Sequence, residues 1–166
     1  GQNDGTLNVA VWDANLGAYW GLVRLDAGYV GRDRNPRRTG RFTSPDFRTN
    51  FSASMQVFNG TDDYQVYAVI PWRLPSYRPG YYLGIASFLL MNQTVRTEIL
   101  QTTDFGVSWE QLTPGEEYIE LGKEGAFDSY TIYAAWTGQQ APLLDPREPN
   151  RTLFYYAGGN GPHDGQ

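Results

Sequence analysis

The single histidine, His163, lies in the segment Gly159-Asn160-Gly161-Pro162-His163-Asp164-Gly165, beside an acid. No serine stands at a spacing that would make a catalytic triad with it. The chain has no cysteine, which excludes a thiol nucleophile, a thiolate zinc site and a disulfide scaffold. Gly158-Gly159-Asn160-Gly161 is not a phosphate loop, because neither a Lys-Ser/Thr pair nor a helical pattern follows it. Arg32, Arg34, Arg37, Arg38 and Arg41 crowd one stretch. A solvated hairpin is the ordinary reading of such a run, and contact with an anion or a uronate is the alternative. Asn-x-Ser/Thr sequons occur at Asn50, Asn59, Asn92 and Asn150, more than chance spacing supplies. They point to a secreted, N-glycosylated chain; the alternative is coincidence in a polar, loop-rich sequence.

Charge narrows the partners. With 13 Lys and Arg against 18 Asp and Glu, the formal net charge is −5. Binding to nucleic acid or to an anionic membrane draws on surplus cations and counterion release, so neither is expected. No run approaches the roughly 18 apolar residues of a membrane-spanning helix. The first residues, Gly-Gln-Asn-Asp-Gly, do not read as a signal peptide, and for an exported chain that peptide is expected to be gone already.

The elements that must position any site are strands. Aromatic residues make up 15% of the chain, and 19 Gly and 10 Pro punctuate it. Short runs of Val, Ile, Tyr, Phe and Thr recur between turn residues, with little helical periodicity. The pattern predicts strands near Leu7–Trp12, Tyr19–Leu25, Thr39–Ser44, Tyr64–Pro71, Tyr81–Leu89, Val95–Thr102, Tyr130–Trp136 and Thr152–Ala157. Shorter outer strands are expected near Ser54–Phe58, Ser108–Leu112 and Tyr118–Leu121.

These strands repeat. Ser44-Pro45-Asp46-Phe47 is echoed by Thr102-Thr103-Asp104-Phe105, and Tyr64-Gln65-Val66-Tyr67-Ala68-Val69 by Tyr130-Thr131-Ile132-Tyr133-Ala134-Ala135. Leu7–Trp12 fits the same first slot. Ala18-Tyr19-Trp20-Gly21-Leu22, Tyr81-Tyr82-Leu83-Gly84-Ile85 and Leu153-Phe154-Tyr155-Tyr156-Ala157 fill the second. The unit is four strands in roughly sixty residues, the pattern of a β-propeller blade. Such a sheet cannot bury both faces alone; stacking blades around an axis buries them, with each apolar first strand nearest the axis. The expected fold is therefore all-β, about two and a half four-stranded antiparallel blades in one partial domain over residues 1–166. Blade one covers about 5–58, blade two about 62–121 and a partial blade three about 127–166. Asp46 and Asp104 are expected to serve their turns by accepting backbone N–H bonds, while the following Phe pins each turn to the core.

Arg41-Phe42-Thr43-Ser44-Pro45-Asp46 resembles the R-x-x-S-x-D blade motif of five-bladed propeller glycosidases. The segment from Glu98 through Asp104 to Trp109 and Glu110 resembles their Glu-Leu-x-x-Ser-x-Asp-Gly-x-x-Trp type. Gly125-Ala126-Phe127-Asp128-Ser129-Tyr130 resembles their G-x-F-D-S stretch, and Leu153 through His163 their L-Y-Y-G-G-x-x-G-x-H segment. The chain thus resembles the invertase-, levanase- and arabinanase-like glycoside hydrolase superfamily. The resemblance implies a five-bladed propeller with a sugar site at its axis, worked by three carboxylates. One carboxyl donates a proton to the leaving oxygen while another attacks or activates water. An Asp precedes each first strand: Asp4, Asp62 or Asp63, and Asp128. If those strands are equivalent, the acids ring one end of the axis. Asp128, Asp63, Glu98 and Asp4 are the catalytic candidates, Asp128 foremost because its neighbours match best. The alternative for each is a solvated turn acid. His163, Trp136, Trp72 and Arg41 are candidate sugar contacts, the rings as stacking platforms beside Trp12; packing between blades is the alternative.

The family's Trp-x-Asn-Asp-Pro-Asn-Gly, Arg-Asp-Pro and Glu-Cys motifs are missing. Five blades would need roughly 300 residues at this repeat length. An unclosed propeller leaves a blade face and a strand edge bare, so a second polypeptide fragment or self-association is expected to complete it. No oxygen-ligand motif calls for a metal, and no cofactor is expected. Two functions remain open: a secreted carbohydrate-active protein acting on or binding a glycan, or a noncatalytic secreted glycoprotein that assembles through its blade surfaces.

Overall fold

A computed structural model of the chain describes residues 7–25, 37–73, 78–134 and 143–163. The chain is all-β: among the described residues a four-stranded antiparallel sheet, a six-stranded mixed sheet whose one parallel pairing sets Val95 opposite Thr131, and a two-stranded hairpin, an arrangement compatible with partial propeller-like blades that are not closed into a ring. The first sheet runs β1 (Leu7–Asp13), β2 (Ala18–Leu25), β3 (Arg38–Ser44) and β4 (Met55–Asn59), each strand antiparallel to the next. The β1–β2 turn follows from local chemistry. Asp13 Oδ1 accepts the N–H groups of Asn15 and Leu16 at 2.8 and 3.2 Å, and Gly17 takes the φ of +64° that a side chain would resist.

The second sheet repeats this order with β5 (Tyr64–Arg73), β6 (Tyr82–Leu90), β7 (Val95–Thr102) and the short β8 (Glu110–Gln111). Its third-to-fourth connection has the same construction as that of the first sheet. Asp46 Oδ1 accepts the N–H groups of Arg48 and Thr49, and Asp104 Oδ1 those of Val107 and Ser108. The second carboxylate oxygen takes the hydroxyl of Thr49 in one turn and of Ser108 in the other. Phe47 and Phe105 are both left-handed, at φ of 55° and 59°. That conformation costs an L-residue about 1–2 kcal/mol, offset by the carboxylate's bonds in both turns and, at Phe105 alone, by a ring packed on the core; Phe47 stays partly exposed, so only the second turn is pinned as expected.

A third unit contains β9 (Thr131–Ala134), β10 (Leu143–Asp145), β11 (Glu148–Leu153) and β12 (Tyr156–Gly159). β12 pairs with β9, while β10 and β11 form a separate hairpin. The expected strand over Thr152–Ala157 is therefore two. Residues up to Leu153 pair with β10 across a turn in which Asp145 accepts the Arg147 N–H, and the partner of β9 begins at Tyr156. Tyr118–Leu121 is not a strand: only isolated bonds hold it to β7, from Tyr118 N–H to the Thr97 carbonyl and from Ile119 N–H to the Thr97 hydroxyl. Ser108–Leu112 shrinks to β8 because Ser108 is consumed by the Asp104 turn.

The three first strands lie in succession, β1 against β5 and β5 against β9. The main core fills the space between the first two sheets. Val11, Trp20 and Leu22 meet Val66, Val69, Tyr82, Ala86, Phe88 and Leu100, all buried. The indole of Trp20 is the wedge at this boundary, 4.9 Å edge-on to Tyr82 and pressed against the backbone of Gly106, where a Cβ would come within 2.6 Å of the ring. Gly106 itself needs φ +80°.

Candidate functional site

Tyr67 is the extra residue of a bulge in β5. Val66 pairs with Phe88 and Ala68 with Ser87, so Tyr67 has no partner opposite it on β6. A bulge re-aims its side chain, and the Tyr67 ring stands 5.0 Å from that of Tyr133 on the neighbouring first strand, β9. His163 completes the group. Its ring is edge-on to Tyr67 at 5.2 Å, and its Nδ1 lies 2.7 Å from the Tyr133 hydroxyl oxygen. Either the hydroxyl donates to Nδ1 or a protonated Nδ1 donates to the hydroxyl, according to the tautomer. A bond from the His163 N–H to the Gln93 carbonyl fixes the approach of the loop after β12. The Arg37 guanidinium sits over the other aromatic partner, 5.4 Å from the Tyr67 centroid, with Nη1 buried and unbonded. Thr131, two residues before Tyr133 and so on the same side of β9, is fully buried with its hydroxyl unpartnered. The cluster combines aromatic faces for C–H groups, a proton-sharing Tyr–His pair and a cation.

The nominated acids among the described residues lie elsewhere. Asp128 is 8% exposed and accepts the Tyr156 hydroxyl at 2.8 Å, a bond that raises the pKa of that hydroxyl. Its carboxylate occupies the place where a Cβ on Gly122 would lie, and its Cβ presses on Gly158. Glu98 is fully buried on β7, paired with Arg96 at 2.7 Å, and accepts Gln111 Nε2 and the Gly115 N–H. Asp63 is exposed in the turn before β5, its N–H bonded to the Thr61 hydroxyl; Asp62 is exposed beside it. Asp4 lies outside the described residues. No three Asp, Glu, His or Cys side chains form a group able to hold a metal ion among the described residues. Among the same residues no helix is long and apolar enough to cross a membrane.

Trp72 is 7% exposed and packs edge-on against Phe154 at 5.1 Å, which places it between units. Arg41 donates Nε–H to the Phe105 carbonyl at 2.7 Å and stands 5.8 Å over the Trp20 ring, tying the first sheet to the second. Trp12 is partly exposed beside Tyr19, and Trp136 lies outside the described residues. Asn50, Asn59 and Asn92 are exposed, and Asn92 folds back on its own sequon by accepting both the Thr94 N–H and its hydroxyl. Asn150 falls in β11, its side chain outside the description. Of the sugar-contact candidates among the described residues, His163 alone joins the Tyr67 cluster. Tyr67 and Tyr133 were not singled out as site residues, although their matching positions in the repeated first strand carried the signal.

No protein-family model matches the chain, and no curated protein matches it. Among solved structures it is similar to the crystal structure of an N-acetylgalactosamine deacetylase from F. plautii in complex with blood group B trisaccharide. The TM-score is 0.57 at 15% sequence identity, over 91% of this chain and 45% of that one. The chain thus spans less than half the length of the structure it matches, and the likeness is one of fold.

Proposed function

We propose that this chain is the glycan-binding part of a secreted, propeller-type carbohydrate-active protein, and that the glycan seats at the junction of β5 and β9. The observation that carries this reading is the Tyr133 hydroxyl 2.7 Å from His163 Nδ1, beside the Tyr67 ring that a bulge turns toward it. Tyrosine faces suit the C–H face of a pyranose, and the Tyr–His pair and Arg37 supply directional groups for hydroxyls. The similarity of fold to an enzyme whose structure contains a trisaccharide supports the sugar as ligand class. The superfamily resemblance points the same way and supplies the five-bladed frame.

Binding is favoured over hydrolysis. Glycoside cleavage uses two carboxyls facing one bond, whereas Glu98 is ion-paired inside the second sheet and Asp128 is bonded to Tyr156. The exposed sequons at Asn50, Asn59 and Asn92 support export.

A panel of neutral and acidic oligosaccharides titrated into the protein tests the proposal. Tyr133→Phe and His163→Ala are expected to weaken binding about tenfold each, the effect of one lost hydrogen bond. Unchanged affinity in both variants would remove the site. Hydrolysis abolished by Asp128→Asn would restore the catalytic reading.

A further inference from the structure

Among the described residues three tyrosines are exposed: Tyr118 at 45%, Tyr130 at 40% and Tyr155 at 57%. Their flanks differ. Glu116, Glu117 and Glu120 set three carboxylates within two residues of Tyr118, and no Lys or Arg lies within four residues on either side. Tyr130 has only Asp128 that close, a buried acid already holding the Tyr156 hydroxyl. Tyr155 has no acid within six residues. Asp62 and Asp63 precede Tyr64, but that side chain is half-buried and its hydroxyl bonds Gln111.

The surroundings of Tyr118 leave its phenol open to chemistry. Its ring touches Phe154 edge-on at 6.3 Å, and its hydroxyl bonds no group among the described residues. The three glutamates are exposed, and among the described residues none is ion-paired. Glu117 accepts the Leu121 N–H, which keeps its carboxylate beside the tyrosine. The backbone is accessible as well. Pro114-Gly115 turns the chain away from β8, with Gly115 at φ +86° and open space around it. No strand follows, and isolated bonds to Thr97 hold Tyr118 and Ile119 against β7. A segment held by so few bonds opens locally at small cost, so an enzyme cleft can take it up extended.

We infer that Tyr118 is a site of tyrosine O-sulfation. This rests on the export proposed above, because phosphosulfate-dependent transfer to tyrosine takes place in the secretory route. The phenol oxygen attacks the sulfur of a nucleotide phosphosulfate. An O–S bond forms, the bridging S–O bond to phosphate breaks, and the nucleotide leaves with that electron pair. The phenol proton passes to a base of the transferase, and nothing is oxidised or reduced. A transferase with a basic cleft is drawn to the acidic flank, since complementary charge speeds association and fixes register. The product carries one negative charge more than the formal −5 of the chain.

Peptide mass analysis of the protein isolated from its producing cell tests this. The peptide spanning Tyr118 is expected to carry one sulfuryl group that phosphatase leaves in place. Tyr118→Phe should lose it entirely, and Tyr155→Phe should keep it. Glu116→Gln, Glu117→Gln and Glu120→Gln together should cut the sulfated fraction roughly tenfold or more, the scale of electrostatic steering. Unchanged thermal unfolding of that triple variant separates lost recognition from lost folding. A bare Tyr118, a phosphate in place of the sulfate, or modification at Tyr130 or Tyr155 instead would overturn the inference. Glycan occupancy at Asn50, Asn59 and Asn92 in the same sample reads the export separately. Occupied sequons with a bare Tyr118 sink the sulfation alone, whereas an unglycosylated chain retained in the cell sinks both.

Discussion

Tyr82 on β6 donates its hydroxyl to Asp13 Oδ2 at 2.5 Å, across the boundary between the first and second sheets. Asp13 is fully buried and also holds its own hairpin through the N–H groups of Asn15 and Leu16. One carboxylate thus closes a local turn and locks two sheets together. Tyr82→Phe leaves Asp13 with a lost partner in a buried site, so it is expected to cost about 1–3 kcal/mol. Urea denaturation of Tyr82→Phe, Asp13→Asn and the double variant measures the coupling; additive losses would show that the bond contributes nothing.

Acid should unfold this protein through its turn and boundary carboxylates. Burial pushes the Asp13 pKa up, but the Tyr82 hydroxyl, the N–H groups of Asn15 and Leu16 and the charge of Arg73 bring it below the ordinary 3.8. The N–H groups of Thr49 and Arg48, with the Thr49 hydroxyl, hold Asp46 down to about 2. Burial raises Asp104, and the Ser108 hydroxyl and backbone N–H, with Thr102 and Val107, outweigh it so that it too is lowered. A carboxyl depressed in the folded state stabilises it above the unfolded value and loses that contribution as pH falls through the folded value. Stability is therefore expected to be flat near neutrality and to drop between about pH 4 and pH 2. Urea midpoints across that range check it, and Asp46→Asn should flatten part of the drop.

Glycine positions separate strain from collision. Gly106 and Gly115 both have positive φ, +80° and +86°, but a Cβ at Gly106 strikes the Trp20 ring while Gly115 faces open space. Gly115→Ala should cost about 1 kcal/mol from backbone strain alone. Gly106→Ala should cost about 3 kcal/mol or more, because the indole at the sheet boundary must move. Equal shifts in melting temperature would contradict the packing described at Trp20.

Glu98 is expected to matter for folding rather than for chemistry. Removing it leaves Arg96 facing a buried space, so Glu98→Ala should lose about 3 kcal/mol. Replacing both partners, Glu98→Leu with Arg96→Met, should recover most of that stability, since an apolar pair needs no desolvated charge. Calorimetry of the three variants decides it, and a double variant no better than the single one would refute the account.

Asp128 makes the parallel case in the third unit. Asp128→Ala removes the acceptor of the Tyr156 hydroxyl and should cost about 1–2 kcal/mol. Oligosaccharide affinity should stay at the parental value, because no contact joins Asp128 to Tyr67, Tyr133 or His163 among the described residues. Isothermal titration of the variant measures it, and a lost signal at retained fold would return Asp128 to the site.

Short runs of Val, Ile, Tyr, Phe and Thr, bounded by Gly, Pro, Asn and Asp, marked most of the strands. So Leu7–Asp13, Tyr64–Arg73 and Val95–Thr102 were legible as strands, and the paired Ser/Thr-x-Asp-Phe turns as one repeated device. These features rest on bonds between residues close in the chain. Strand splitting at Phe154 was not legible, because whether Leu153 pairs with β10 or β9 depends on competing partners and not on its own propensity. The fates of the acids were hidden for the same reason. Glu98 and Asp128 look alike as carboxylates near strands, yet Arg96 and Tyr156 decide what each one does. Only contacts between segments far apart in the chain brought Tyr67, Tyr133 and His163 together and set Tyr82 of one sheet on Asp13 of the other. Local periodicity dictates which face of a strand is apolar; what that face meets is decided by packing between segments far apart in the chain.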